Sequence, residues 1–111
     1  MTRESLVERL LELPAAIEAA ERAVLAAEEQ RREAAEALQH VEDDLLLDPE
    51  RITGKNAEAR AAQIRVWTGE ERHRVTTADY AANEARIQLR FLTNEMGVLK
   101  DVARLIAASD E

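Results

Sequence analysis

The segment of residues 75–106, VTTADYAANEARIQLRFLTNEMGVLKDVARLI, decides the fold class of this sequence. Alternating steps of three and four residues along it meet an apolar side chain every time. A sustained three-four spacing marks the seam of a left-handed coiled coil, and a strand, with its period of two, cannot produce it. The seam positions are Val75, Ala78, Ala82, Ala85, Leu89, Leu92, Met96, Leu99, Ala103 and Ile106.

The first half of the chain carries the same spacing, with Arg31 as its one polar member. Two long helices with matching seams predict an all-α fold, an antiparallel coiled-coil helical hairpin. The seam positions are Leu10, Leu13, Ile17, Ala20, Val24, Ala27, Arg31, Ala34, Leu38, Val41 and Leu45.

Length and composition agree with a small helical domain and exclude several classes of protein. The 111 residues are enough for one domain. Cysteine is absent, which excludes a disulfide scaffold, a thiolate zinc site and a cysteine nucleophile. No apolar run in the sequence is long enough to cross a membrane. We expect no secretory leader, because no basic-then-apolar segment precedes a small-residue cleavage site. We therefore expect a soluble protein of the cytoplasm, with no membrane partner.

Proline and glycine divide the chain into helices. Pro14 predicts a kink, or a short helix over about 3–12 followed by a longer one over about 15–47. The only stretch with both residue types, 48–55, is the predicted turn, in which Gly54 would supply a positive φ. Asn56 would cap a helix over about 56–108. The capping-box spacing that begins at Thr68 leaves open a break there, although a continuous, slightly bent helix is favoured.

A second apolar row flanks the seam of the C-terminal helix. It consists of Ile87, Phe91, Val98, Val102 and Leu105. A two-helix hairpin needs one seam only, so a wider apolar face indicates a further partner surface. The N-terminal segment could fold over this row. We favour a homodimer that forms a four-helix bundle, because a lone hairpin of this size buries little core.

Charge is distributed unevenly along the chain. Residues 1–50 hold 14 acids and five bases, whereas residues 51–74 hold six bases and three acids around Trp67. Basic residues next to an aromatic ring can follow a phosphate backbone and stack a base. The structural alternative is that these arginines pair with Glu42, Asp43, Asp44 and Asp48 while Trp67 fills the core.

Residues that could carry catalysis are scarce. Glu36 and His40 share a helix face with Asp43 and Asp44 one turn later, a spacing that could hold a metal but is common by chance in an acidic helix. The sequence contains no phosphate-binding glycine loop and no nucleophile beside a base. We expect a protein that is not an enzyme and that uses no cofactor or metal.

The segment Gly54-Lys55-Asn56-Ala57-Glu58-Ala59-Arg60-Ala61-Ala62-Gln63-Ile64 resembles the mark of a group of small, largely uncharacterised phage and prophage proteins. The resemblance extends to the start, Leu6–Pro14, and to the Leu/Ala-rich C-terminal helix. It implies a role in phage DNA metabolism or host takeover. In this segment Asn56, Arg60 and Gln63 could lock the turn against the end of the first helix. Alternatively, with Lys55, they could be presented to a partner.

Trp67-Thr68-Gly69, followed by the Tyr80–Glu84 spacing, is similar to the Trp-x-Gly signature of small helical hairpins secreted by type VII systems. In that family the triplet forms the turn, whereas here residues 48–55 give the stronger turn signal.

The sequence therefore predicts a non-catalytic phage or prophage accessory protein that acts by protein–protein interaction, with a phage or host protein as partner. The first alternative is a nucleic-acid-binding factor that uses residues 51–74, and the second is the secreted hairpin. The candidate partner-binding residues are Lys55, Asn56, Arg60, Gln63, Arg65 and Trp67.

Overall fold

The computed structural model describes residues 1–109, and these residues form three helices and no strand. Helix α1 covers Arg3–Leu46, α2 covers Ala57–Trp67 and α3 covers Gly69–Ser109. The all-α prediction is confirmed, and no helix within the described part of the chain is long and apolar enough to cross a membrane.

Helix α1 runs through Pro14 without interruption. The predicted division into helices over 3–12 and 15–47 is therefore absent. A proline inside a helix costs one backbone hydrogen bond, but Leu6 and Leu13 on its N-terminal side and Ala20 on its C-terminal side are all buried in one core. Pro14 itself lies on the exposed side of the helix. Burial on both sides of the proline thus favours one continuous helix.

The start of α1 is closed by a reciprocal pair of hydrogen bonds. The backbone N–H of Ser5 donates to Thr2 Oγ1, and the N–H of Thr2 donates to Ser5 Oγ, both at 3.0 Å. This arrangement satisfies N–H groups that have no partner inside the helix.

The chain divides into two compact units. The terminal unit consists of Met1–Ala26 and the segment that begins at Asn83, and the loop unit consists of Ala27–Ala82. Within the terminal unit Arg9 pairs with Glu95. Within the loop unit, Arg31 lies 3.8 Å from Asp79 and Glu42 lies 3.4 Å from Arg72, so the segments of α1 and α3 run antiparallel there.

The two predicted seams form the cores of these units. Every one of the seam positions named above is buried or half-buried. In the terminal unit, Leu6, Leu13, Ala20, Leu92 and Leu99 form the buried cluster. In the loop unit, the buried residues are Ala34, Leu45, Thr68 and Ala82. The side-chain spacing therefore predicted the packed faces of both long helices.

One residue, Thr68, separates α2 from α3, so the favoured single helix over 56–108 is interrupted. Thr68 has φ −111° and ψ 19°, and its Oγ1 donates to the carbonyl of Ile64 at 2.7 Å. A threonine hydroxyl bound to the preceding turn bends a helix. The hydroxyl points back into α2, so it does not form the capping box with Glu71. Helical hydrogen bonding resumes at once, because the N–H of Arg72 donates to the carbonyl of Thr68 at 2.9 Å.

Candidate functional site

The loop between α1 and α2 begins with a turn around Asp48. Its Oδ1 accepts hydrogen bonds from the backbone N–H groups of Glu50, at 3.1 Å, and Arg51, at 3.3 Å. Its Oδ2 lies 3.3 Å from Nε of Arg51. An aspartate before a proline commonly organises the next backbone groups in this way. Asp48 thus fixes the exit from α1 and places the Arg51 side chain.

Gln63 of α2 holds the second half of the loop. Its Oε1 accepts from the N–H groups of Thr53, at 2.9 Å, and Gly54, at 2.8 Å, while its Nε2 donates to Thr53 Oγ1 at 2.8 Å. The sequence predicted that Gln63 would bind the end of the first helix. In the structure Gln63 binds the loop instead. Its three hydrogen bonds hold the backbone of Thr53 and Gly54 and the side chain of Thr53 in place.

Asn56 and Arg60 complete this lock. Asn56 caps α2 as predicted, its Oδ1 accepting from the N–H of Ala59 at 2.8 Å. Arg60 Nη1 donates to the carbonyl of Gly54 at 3.3 Å.

The predicted positive φ of Gly54 is wrong, because no glycine in the described chain has a positive φ. A Cβ on Gly54 would instead lie 2.7 Å from the backbone nitrogen of Arg60. Glycine is needed there because the loop touches the first turn of α2.

The other three candidate residues face solvent. Trp67 is 51% exposed, so the expectation that it fills the core is wrong. The guanidinium of Arg51 lies 5.3 Å from the centre of its ring, which is within the range of a cation–π contact. Lys55 and Arg65 are exposed, and neither has an ion-pair or hydrogen-bond partner within residues 1–109. The candidate set therefore separates into residues that lock the loop and residues that are available to a partner.

The expected pairing between the arginines and the acids of α1 occurs at two positions. Arg72 contacts Glu42 at 3.4 Å and also donates from Nε to Thr68 Oγ1 at 2.9 Å. Arg51 contacts Asp48, as described above. Asp43 and Asp44 are instead held within α1, where Asp43 accepts from Gln39 at 2.9 Å and Asp44 lies 3.5 Å from His40.

Sequence reasoning missed three apolar residues beside this loop. Leu46, Leu47 and Val66 are all exposed, Leu47 by 84%. The signal was present in the sequence, since only Leu45 of the leucine triplet 45–47 falls on the seam. The remaining two leucines therefore had no place in the predicted core.

The second apolar row of α3 is exposed in the structure. We use the name α3 row for its four exposed members, Ile87, Phe91, Val98 and Leu105; Phe91, for example, is 64% exposed. The fifth predicted member, Val102, is half-buried and packs against the core of the terminal unit. Neither α1 nor the rest of the described chain covers the α3 row, so the row is available to a partner.

The strongest polar contact of the terminal unit joins Arg9 to Glu95. Two parallel hydrogen bonds of 2.7 Å link Nε and Nη2 of Arg9 to the two carboxylate oxygens. Hydrogen bonding to Arg9 lowers the pKa of Glu95 below its usual value, and hydrogen bonding to Glu95 raises the pKa of Arg9. A two-point contact between planar groups fixes orientation, so this pair aligns α1 with α3.

An open groove of about 480 Å³ lies along α1 and α3 in the loop unit. Its floor includes Ala34 and Ala78, and its polar neighbours, among them His73 and Arg74, are all exposed. It therefore lacks the convergent buried polar groups that orient a small ligand.

The acids around His40 show no arrangement suited to a metal. Glu36 accepts from Arg32 at 2.6 Å, and the described residues contain no cluster of three or more histidine and carboxylate groups that could hold a metal ion.

Comparison of the chain with protein-family models, with curated proteins and with solved structures finds no match.

Proposed function

We propose that this protein is a non-catalytic interaction protein that forms a homodimer through the α3 row. The observation that carries the proposal is the exposure of four large apolar side chains on one helix, at positions 87, 91, 98 and 105. Their spacings of four and seven residues place them on one face of α3. An apolar row of this kind, left open by its own protomer, is typical of a helix–helix interface.

Phe91→Glu tests the dimer. We expect the wild type to have twice the protomer mass of 12.4 kDa by multi-angle light scattering, and the variant to have the protomer mass with its helicity retained. Leu11→Glu is the matched control, because Leu11 is also exposed in the terminal unit but lies on α1. An unchanged mass for Phe91→Glu would exclude the α3 row as the dimer face.

We further propose that the protein serves phage DNA metabolism or host takeover through a phage or host protein. The support is the resemblance of residues 54–64 to small phage and prophage proteins, together with the Asn56, Arg60 and Gln63 contacts that hold the preceding loop in one conformation. Affinity capture from host lysate, with and without nuclease, tests this role. A stoichiometric protein that survives nuclease is expected, and recovery that collapses with nuclease would contradict it.

Nucleic-acid binding by residues 51–74 is the second candidate. The exposed Trp67 ring favours it, as do Lys55 and Arg65, which have no ion-pair or hydrogen-bond partner within residues 1–109. Titration with single-stranded DNA would then change Trp67 fluorescence, and the change would weaken steeply with salt. Absence of any change at low salt would exclude this candidate. The secreted hairpin is the third candidate; Trp67-Thr68-Gly69 lies where α2 meets α3, and the longer loop follows α1.

A further inference from the structure

We infer that the two copies of α3 in the proposed dimer run parallel and in register, and that Asn94 selects this arrangement by pairing with Asn94 of the second copy. The inference rests on the proposed dimer and deepens it by assigning the geometry of the interface and the residue that determines it. It concerns only the described part of α3 that belongs to the terminal unit, residues 83–109.

The α3 row is part of a second three-four seam on α3. Asn94 lies three residues after Phe91 and four before Val98, and both gaps of the row are filled in this way, since Asp101 lies three residues after Val98 and four before Leu105. Both polar residues are exposed, as the row itself is. This spacing packs one helix against another in a left-handed coiled coil. The members of the second seam are Ile87, Phe91, Asn94, Val98, Asp101 and Leu105.

The order of residues in the second seam favours two parallel helices over two antiparallel ones. In a parallel pair in register each member faces its own copy, which gives four apolar layers. An antiparallel alignment of the same six positions leaves only two apolar layers. It sets Phe91 against Asp101 of the second copy, and it sets Asn94 against Val98. A carboxylate or an amide buried against an apolar side chain loses the hydrogen bonds that it makes to water.

The charges beside the second seam also favour the parallel arrangement. Arg90 lies on one flank, directly before Phe91, and Glu95 lies on the other, directly after Asn94. In parallel helices opposite flanks meet, so Arg90 approaches Glu95 of the second copy, five residues further on. In antiparallel helices each flank meets the same flank of the other copy. Arg90 would then approach Arg104, and the two Glu95 side chains would approach each other, so like charges would repel.

Arg90 and Glu95 are both able to make this contact. Arg90 is exposed and has no ion-pair or hydrogen-bond partner within residues 1–109. Glu95 already accepts two hydrogen bonds from Arg9, yet its side chain remains 26% exposed. A carboxylate has about four lone-pair sites. A second guanidinium can therefore bind Glu95 without displacing the first.

Asn94 selects the parallel register because its amide is complementary to itself. An amide carries both a donor and an acceptor, so two Asn94 side chains that face each other can exchange a hydrogen bond. Within residues 1–109 Asn94 has no hydrogen-bond partner of its own. An asparagine in the seam of a coiled coil fixes register and strand number at a cost in stability. Asp101 forms the one layer of like charge among the six positions, and Arg104 of the same protomer, at 3.2 Å, offsets part of that repulsion.

Disulfide trapping in a glutathione redox buffer tests the orientation, because the chain contains no cysteine. Ile87→Cys and Leu105→Cys are equilibrated separately and as an equal mixture, and mass spectrometry identifies the disulfides formed. We expect each variant to form a disulfide with itself and the mixture to form no mixed disulfide. In an antiparallel pair the two thiols of one variant would lie about 27 Å apart, and only the mixture would react. Leu11→Cys, at an exposed position of α1, is the control and should remain a free thiol.

Asn94→Leu tests the residue that selects the register. A leucine at this position packs well in either orientation, so the mixed disulfide between the Ile87→Cys and Leu105→Cys chains should now appear. The dimer should also dissociate less readily, because the amide no longer has to be buried. Thr93→Leu is the matched control, since Thr93 is an exposed neighbour outside the second seam, and it should leave the disulfide pattern unchanged.

Each contrary result removes a different part of the account. A mixed disulfide without the two self-disulfides would overturn the parallel arrangement and leave the proposed dimer standing. An Asn94→Leu variant with an unchanged disulfide pattern would overturn the role of Asn94. A wild type of dimer mass in which neither cysteine variant reacts would place the interface outside the α3 row. A wild-type mass of 12.4 kDa by light scattering would remove the proposed dimer and this inference with it.

Discussion

The terminal unit and the loop unit use the same helical spacing but different side chains. The terminal core buries Leu6, Leu13, Leu92 and Leu99 with one alanine, whereas the buried part of the loop unit's seams is Ala34, Ala82 and a single leucine, Leu45. The stabilisation of the fold by apolar burial grows roughly in proportion to the area buried. The alanines of the loop unit therefore contribute less stabilisation than the leucines of the terminal unit. The loop unit also contains polar contacts, namely the Gln63 hydrogen bonds and the partly exposed ion pairs of Arg72 and Arg31. We infer that the terminal unit depends more on leucine packing than the loop unit does.

The largest expected effect is the loss of a leucine from the terminal core. Leu13 is fully buried, and Leu13→Ala should lower the free energy of unfolding by about 2–5 kcal/mol. Leu11→Ala, at a neighbouring exposed leucine, should change it by less than about 0.5 kcal/mol. Urea unfolding followed by circular dichroism measures both. Equal effects of the two substitutions would contradict the assigned core.

A smaller effect is expected from overpacking the loop unit. Ala82 of the loop unit is fully buried and does not line the open groove, so Ala82→Leu should destabilise the protein by about 1–3 kcal/mol. Its neighbour Ala81 is exposed, and Ala81→Leu should be nearly neutral. The same unfolding measurement applies, and a stabilising Ala82→Leu would show that the alanine seam leaves unfilled space.

Two glycines should respond with opposite signs. Gly54→Ala places a methyl group against the backbone of Arg60 and Ala59, and we expect a loss of about 1–2 kcal/mol. Gly97 lies inside α3, where an added methyl group would meet no neighbouring atom within 4 Å, so Gly97→Ala should stabilise by about 0.5–1 kcal/mol. Thermal unfolding and hydrogen exchange at the Thr53 and Gly54 amides distinguish the two. Unchanged exchange in Gly54→Ala would contradict the close contact.

The smallest effect concerns acid stability. Arg9 lowers the pKa of Glu95 in the folded protein below its value of about 4.5 in the unfolded chain. The Arg9–Glu95 pair therefore contributes its full stabilisation at pH values above the pKa of Glu95 in the unfolded chain. This stabilisation is lost as the pH falls through the lower pKa of Glu95 in the folded protein. Glu95→Gln should reduce the difference between the melting temperatures at pH 7 and pH 3. A Glu95→Gln variant that keeps the wild-type difference between the two melting temperatures would contradict the assignment.

Periodicity predicted the packed faces correctly because a three-four spacing is itself a consequence of helix packing. It could not predict that α1 continues through Pro14, since this depends on the burial of Leu13 and Ala20 against α3. The roles of Gly54 and Gln63 also escaped prediction. Both depend on contacts between the loop and α2, and Gln63 reaches a residue ten positions earlier in the sequence. Turn and helix propensities and motif spacing identify which residues have a particular role in such a loop. They do not identify the residues that each of them contacts.

The dependence of the melting temperature on protein concentration tests the central claim, that a second copy completes the burial left open by the α3 row. A dimer that unfolds to free chains is stabilised by mass action. We therefore expect the melting temperature of the wild type to rise steadily over a hundredfold increase in concentration. A melting temperature that stays constant over that range would show that the protomer folds alone and would contradict the account.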